Sequence, residues 1–197
     1  MKKRITFISD THGLHSHYDN LLDSGDVLIH AGDVSNIGKS TEIYDFLNWF
    51  SDVDYTHKVF IAGNHDWGFE VMTEIPEIFR DKNVHYLFDS MVEIDGLKIY
   101  GSPWQPEFFD WAFNLPRMGK ELEETWDRIP ENLDVLVTHG PPWGILDVAP
   151  NNLNVDGQKT IDGVEYINAA VLGESYKPKN KPVMIDYDLE TKKFDYV

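Results

Sequence analysis

Cysteine is absent from the 197 residues. Its absence excludes a disulfide framework, a thiolate nucleophile and any zinc site built on Cys ligands. Long apolar runs are missing too. None approaches the length that spans a bilayer, so no membrane partner is expected. Met1-Lys2-Lys3-Arg4 leads straight into a strand pattern without the apolar core of a signal peptide, and the expected address is the cytoplasm. Positive charge is scarce. Seventeen Lys and Arg stand against 34 Asp and Glu, a formal net charge of −17, and a field of that sign repels polyphosphate backbones. Duplex nucleic acid is therefore not an expected partner, whereas a small phosphate ester at a local cationic site is compatible with it. The last scarcity is positional: of eight histidines, none lies beyond His139.

What is present is the composition of a globular protein, 42% apolar and 13% aromatic, with charge spread along the chain. The length fits one domain over 1–197, and the oligomeric state stays open. The chain is organised around Ile61-Ala62-Gly63-Asn64-His65-Asp66. An apolar strand ends in Gly63, which lets the backbone turn and approach whatever sits above the strand end. Asn64 offers a neutral oxygen ligand, His65 a group that titrates near neutrality, and Asp66 an acceptor able to fix the imidazole's tautomer.

Three more strand ends carry ligand-type residues. Residues 4–9 read as a buried strand ending at Asp10-Thr11-His12-Gly13. Asp10 and His12, two apart in an extended segment, project to one side and can converge on one ion; an Asp-capped turn with a surface histidine is the competing reading. After a short helical stretch at 18–22, residues 27–30 form a second strand, ending at Ala31-Gly32-Asp33. Ser40 or Thr41 can cap a helix whose Ile43, Phe46, Leu47 and Phe50 share one face. Residues 57–61 deliver the Gly63–Asp66 loop, and 70–79 look helical but short or broken at Pro76. Strands follow at 84–88, 91–94 and 97–100, the last two a hairpin around Asp95-Gly96. Trp104, Phe108, Phe109, Trp111 and Phe113 read first as cover for the core and second as a pocket wall able to stack a base. A helix at 119–129 precedes a strand at 133–138 that ends at His139-Gly140-Pro141-Pro142. Residues 143–163 read as loop, and 164–170 and 182–187 as closing strands. Such alternation describes an α/β layered fold with its site along one sheet edge, and the hairpin-like strands argue for mixed sheets packed face to face.

Together Asp10, His12, Asp33, Asn64 and His139 supply carboxylate, imidazole and amide ligands from loops after strands. One ion can take Asp10, His12 and Asp33, and a second Asp33, Asn64 and His139, with Asp33 bridging. Two ions about 3.5–4 Å apart can activate a water and hold both substrate oxygens. His65 is then a non-ligand imidazole that stabilises the transition state or protonates the leaving oxygen.

Ser9-Asp10-Thr11-His12-Gly13, His30-Ala31-Gly32-Asp33, Gly63-Asn64-His65-Asp66 and Thr138-His139-Gly140-Pro141-Pro142 resemble the signature blocks of the calcineurin-like metallophosphoesterase superfamily. With Tyr166-Ile167-Asn168-Ala169-Ala170, the wording is most similar to the MPPED-type subgroup, and the likeness runs from Ile5 to about Asp186. It implies a four-layer sandwich of two mixed β-sheets flanked by helices and a dinuclear site hydrolysing small phosphodiesters, cyclic nucleotides or model diesters among them. On that reading the metal ligands are Asp10, His12, Asp33, Asn64 and His139. His65 and Asp66 are catalytic, and Asn64, His65 and His139 meet substrate. The ions are divalent, Mn²⁺ first, with Mg²⁺, Fe or Zn²⁺ as alternatives.

One departure stands out. The family's Gly-His-x-His block, which gives a histidine to each metal, belongs between His139 and Tyr166 and is not there. At least one ion is therefore expected to bind weakly. Asp147, Asn151, Asn152, Asn154 and Asp156 are the nearby oxygen donors and read as solvated loop. His15 and His17 read as surface histidines, and His30, His57 and His85 as core or edge. Two classes stay open: a phosphodiesterase with a trimmed site, and a degenerate relative that binds nucleotide, phosphate or a protein partner with little turnover.

Overall fold

Val27-Leu28-Ile29 is apolar on successive residues, the pattern of a strand buried on both faces. In the computed structural model, which describes residues 1–147, 157–173 and 175–197, that stretch lies inside a sheet. Its parallel part is β1 (Lys2–Ile8), β2 (Gly25–His30), β3 (Tyr55–Phe60) and β4 (Val84–Tyr86), paired in that order. Between β2 and β3 runs α1 (Ser40–Asp52), and a one-turn α2 (Glu77–Arg80) precedes β4. The hairpin β5 (Ser90–Ile94) and β6 (Leu97–Ser102) follows, and the segment after it holds the short pair β7 (Gln105–Pro106) and β8 (Asn114–Leu115). Then come α3 (Lys120–Trp126) and β9 (Val135–Thr138), which pairs parallel with β6 and completes a three-stranded sheet. A hairpin, β10 (Gln158–Ile161) and β11 (Val164–Ile167), leads to β12 (Val183–Asp188) and β13 (Lys193–Tyr196). These last two add antiparallel to β1, making six strands in the order β13-β12-β1-β2-β3-β4.

Period-two alternation sorts the strand side chains between two cores. Ile5, Val27, Ile29, Val59 and Ile61 meet Leu97, Ile99 and Val137 of the three-stranded sheet. Ile8, Leu28 and Phe60 face the other way, into a cluster with Ile43, Phe46, Leu47 and Phe50 of α1. Those four lie at i, i+3, i+4 and i+7 on one helix face, and each fully buried side chain of this size contributes about 1.5–3 kcal/mol. Helices, the mixed six-stranded sheet and the mixed three-stranded sheet thus form the layers of an α/β sandwich. Among the described residues no helix is long and apolar enough to cross a membrane.

Several local expectations change. Neither Ser40 nor Thr41 caps α1; the cap is Lys39, and the Glu42 carboxylate accepts the N–H groups of Lys39 (3.0 Å) and Asn36 (3.2 Å). The stretch 70–79 is broken at Pro76, as expected, with Pro76 as the cap of α2. Part of 143–163 is strand: β10 pairs with β11 although Gln158, Lys159 and Thr160 leave no apolar alternation to read. Asp95 (φ 50°) and Gly96 (φ 88°) both take left-handed backbone, the requirement of the tight β5–β6 turn.

Candidate metal centre

Parallel pairing puts the C-terminal ends of β1, β2 and β3 on one edge, and their three loops meet there with the loop after β9. The first two loops continue as a backbone ladder beyond the strands. Asp10 N–H donates to Gly32 O, His12 N–H to Asp33 O and Gly13 N–H to Val34 O, each at 3.0 Å. Two glycines permit the closeness. A Cβ on Gly63 would collide with Asp33 Oδ1, and one on Gly32 (φ 99°) would lie 2.7 Å from His139 Nδ1. Asp10 (φ 56°), His12 (φ 42°) and Asp33 (φ 55°) are also left-handed. The extended geometry expected for Asp10 and His12 is therefore replaced by turned backbone, held at a cost of about 1–3 kcal/mol per residue by its surroundings.

Asp33 stands at the centre. Its Oδ2 lies 3.5 Å from His12 Nε2, 3.4 Å from His139 Nε2 and 4.0 Å from His65 Nε2, while Oδ1 accepts the His65 backbone N–H at 2.9 Å. Each imidazole is oriented from behind by a carbonyl: Nδ1 of His12 faces Ser35 O (3.1 Å), Nδ1 of His65 faces Asn36 O (2.8 Å) and Nδ1 of His139 faces Ala31 O (2.9 Å). With Nδ1–H engaged, Nε2 of each ring is turned toward Asp33. Asn64 Oδ1 sits 3.0 Å from His139 Nε2, and Ser9 Oγ donates to Asp10 Oδ2 at 2.6 Å. Two sets of ligand atoms fall within 4.8 Å of one another, His12–Asp33–His65 and Asp10–Asp33–His139. Asp33 is common to both, as a bridging ligand must be, but the sorting differs from that expected: Asp10 groups with His139, and His65 with His12.

Electrostatics make the cluster short of positive charge. Burial pushes the Asp10 carboxyl up against the pull of His139. Burial also acts to raise Asp33, but the charge and hydrogen bond of His139 hold its carboxyl low. Conversely, burial works to lower His139, and Asp33 with Asp10 lifts it to about 10. Burial lowers His12. Among the described residues no Lys or Arg forms an ion pair with Asp10, Asp33 or Asp66. Two carboxylates, oriented imidazoles and an amide without a fixed cation are a donor set that fits divalent ions.

Residues 3–181 match the family model described as calcineurin-like phosphoesterase. The chain belongs to that family. It is 37% identical to human metallophosphoesterase domain-containing protein 1 over 93% of this chain and 70% of that protein, with the same figures for the mouse protein. A UPF0046 protein of Caenorhabditis elegans is 31% identical over 97% of this chain and 62% of its own length. The alignment with the human protein runs to 233 positions, more than the 197 residues present here, so that relative carries segments this chain lacks. The family uses divalent metals, and the two donor groups around Asp33 are where this chain can hold them.

Asp66 has a different place from the one expected. Its carboxylate does not touch His65; it accepts the N–H groups of Gly63 (2.8 Å), Ser35 (2.9 Å) and Val34 (3.1 Å) and the Ser35 hydroxyl (2.6 Å). It ties the second loop to the third from underneath, fully buried, and burial with the charge of Asp33 lifts it to about 6. The aromatic segment divides. Trp104 and Phe113 pack on Phe88 in the core, Phe108 and Phe109 are exposed, and Trp111 lies over His65 with ring centroids 4.1 Å apart. Tyr176 stands edge-on to His12 at 4.8 Å, a contact between distant segments that no local pattern announces. Ala169 and Val171 bond to Ser9 through their backbones, which sets the Tyr166–Ala170 block beside the first loop. Asp147 closes a local turn on Gly144 N–H, and Asn151, Asn152, Asn154 and Asp156 lie outside the described residues. His17 is exposed as expected, but His15 is buried against Phe46 and Trp49 with Nε2 3.3 Å from Asp45. His30 is core, and His57 and His85 meet across β3 and β4 with ring nitrogens 3.4 Å apart.

Proposed function

We propose that this chain hydrolyses small phosphodiesters with two divalent ions, Mn²⁺ first among them. The observation that carries the reading is the sharing of Asp33 by two donor groups in a cluster that, among the described residues, has no Lys or Arg ion pair. Asp10, His12, Asp33, Asn64 and His139 would hold the ions. When bound, the ions would polarise phosphoryl oxygens and lower the pKa of a nucleophilic water. The chain's own residues supply position. The carbonyls of Ser35 and Ala31 keep Nε2 of His12 and His139 turned inward. His65 is held by Asn36 O and covered by Trp111, so a second proton on this ring rides on Nε2, the nitrogen facing Asp33. We assign that nitrogen the stabilisation of the transition state or protonation of the leaving oxygen. Asn64, His65 and His139 border the space a phosphate would enter. The net charge of −17 favours a small ester over duplex nucleic acid.

The absence of histidine after His139 supports a second reading, phosphate or nucleotide binding with little turnover. Hydrolysis of an aryl phosphodiester and the matching monoester, followed while Mn²⁺ is titrated into metal-stripped protein, separates the two. Turnover that rises with Mn²⁺, falls on chelation and favours the diester is expected. Inorganic phosphate binding without turnover would select the second reading, and turnover that survives complete chelation would defeat both.

A further inference from the structure

His30 and Thr11 form a buried polar pair that none of the roles above uses. Thr11 lies between Asp10 and His12, both left-handed, and its side chain is buried in the protein. There Thr11 Oγ1 meets His30 Nε2 at 3.0 Å, and both residues are fully buried. His30 ends β2, three residues before Asp33. Its ring stands edge-on to Phe46 at 5.2 Å and Phe50 at 6.3 Å, and its Nδ1 has no hydrogen-bond partner among the described residues. Burial pushes its pKa down to about 3, so the ring is neutral.

For stability alone this pair is a poor choice. An imidazole with one of two nitrogens unpartnered in an aromatic core is costly, and replacing both partners of a buried hydrogen bond by apolar groups is close to neutral or stabilising. What the pair does geometrically is fasten the loop bearing Asp10 and His12 to the end of β2, from which the loop bearing Asp33 departs. We propose that His30 is a positioning residue for the metal centre, acting through Thr11 to fix the left-handed turn that aims Asp10 and His12 at Asp33. The inference rests on the two-ion reading of the same site.

The test reads binding and folding separately. Mn²⁺ affinity is measured by calorimetry on metal-stripped wild type, Thr11→Val, His30→Leu, the double variant and His30→Gln, with thermal unfolding recorded for each. The double variant should unfold at or above the wild-type temperature, yet bind Mn²⁺ at least about 10-fold more weakly, the loss usual for supporting contacts around metal ligands. His30→Gln, whose amide reaches the position of Nε2, should restore most of the affinity. If wild type binds no Mn²⁺, the two-ion reading itself falls. If wild type binds and the double variant binds equally well, only the positioning role is lost. A double variant that fails to fold would also overturn the inference, because it would make the pair a structural requirement.

Discussion

Carboxylates near the two ends of the parallel strands are treated in opposite ways. Near the N-terminal ends of these strands Asp26, Asp95, Asp186 and Asp195 each have a Lys or Arg. Lys3 Nζ reaches Asp95 at 2.7 Å and Asp26 at 3.3 Å, Arg4 grips Asp186 through Nε (2.9 Å) and Nη2 (3.1 Å), and Lys2 pairs with Asp195 at 3.1 Å. At the C-terminal ends Asp10, Asp33 and Asp66 are more buried and, among the described residues, have only histidines, hydroxyls and backbone N–H groups as partners. Buried carboxylates without a fixed cation are what folding alone avoids. One end is therefore arranged for stability, and the other is left with a charge deficit that an ion can fill.

The largest test of this contrast removes one carboxylate from the deficient end. Asp33→Asn should release at least one metal ion and abolish turnover, because both donor groups contain that side chain. Asp186→Asn, at the matched end, should leave metal content and turnover unchanged. Metal analysis of the two dialysed variants decides the matter: two ions retained in Asp33→Asn would remove the bridging assignment.

Next in size is His65→Ala. The His65 ring lies beyond hydrogen-bonding distance of Asp33 Oδ2, at 4.0 Å, and is fixed by Asn36 and Trp111. The variant should keep its metals while kcat falls by about 10²–10⁴-fold, with a smaller loss on substrates whose leaving group needs no proton. Metal loss in this variant would make His65 a ligand, the role that its grouping with His12 and Asp33 also permits.

These variants could be chosen from the sequence because its chemistry is concentrated at strand ends. Gly63, Gly32 and the residues after them announce a close approach, and the structure uses both glycines that way. The strands β1, β2, β3 and β9 are legible since each is an apolar run stopped by Gly or a polar block, and Asp95-Gly96 declares its hairpin. Contacts between loops are another matter. Nothing local says that Asp66 turns away from its neighbour His65 to bind Val34 and Ser35, that Thr11 reaches His30, or that Tyr176 comes back to His12. The hairpin strand β10 is missed because three of its four residues are polar and exposed, so the sheet there is held by backbone pairing without a buried face.

A pH experiment sharpens the contrast with a more modest effect. His139 has its folded pKa lifted from 6.5 to about 10 by Asp33 and Asp10. A raised folded pKa stabilises fully below the unfolded value and is lost as pH climbs through the folded one. The metal-stripped protein should therefore lose thermal stability between pH 6.5 and 10. Mn²⁺ must displace the Nε2 proton, so over the same window its affinity should rise by up to about tenfold per pH unit. Both trends should flatten in His139→Gln. A Mn²⁺ affinity that is flat from pH 6.5 to 8.5 in wild type would mean that His139 is already neutral beside Asp33.

The smallest expected effect lies at the matched end and is the control that gives the others meaning. Arg4 and Asp186 form a two-point ion pair in which both side chains remain partly exposed, 39% and 31%. Exposed pairs of this kind contribute little, because solvent screens them. Arg4→Gln should thus barely shift unfolding, and raised salt should lower the stability of wild type more than that of the variant, since the pair is screened. From Arg4 to Asp10 the chain runs about 20 Å at strand rise, well beyond a Debye length of about 8 Å at physiological ionic strength. Mn²⁺ affinity and turnover should accordingly be those of wild type. A tenfold change in Mn²⁺ affinity in Arg4→Gln would mean that the field of the whole −17 chain, and not the local set around Asp33, governs metal binding.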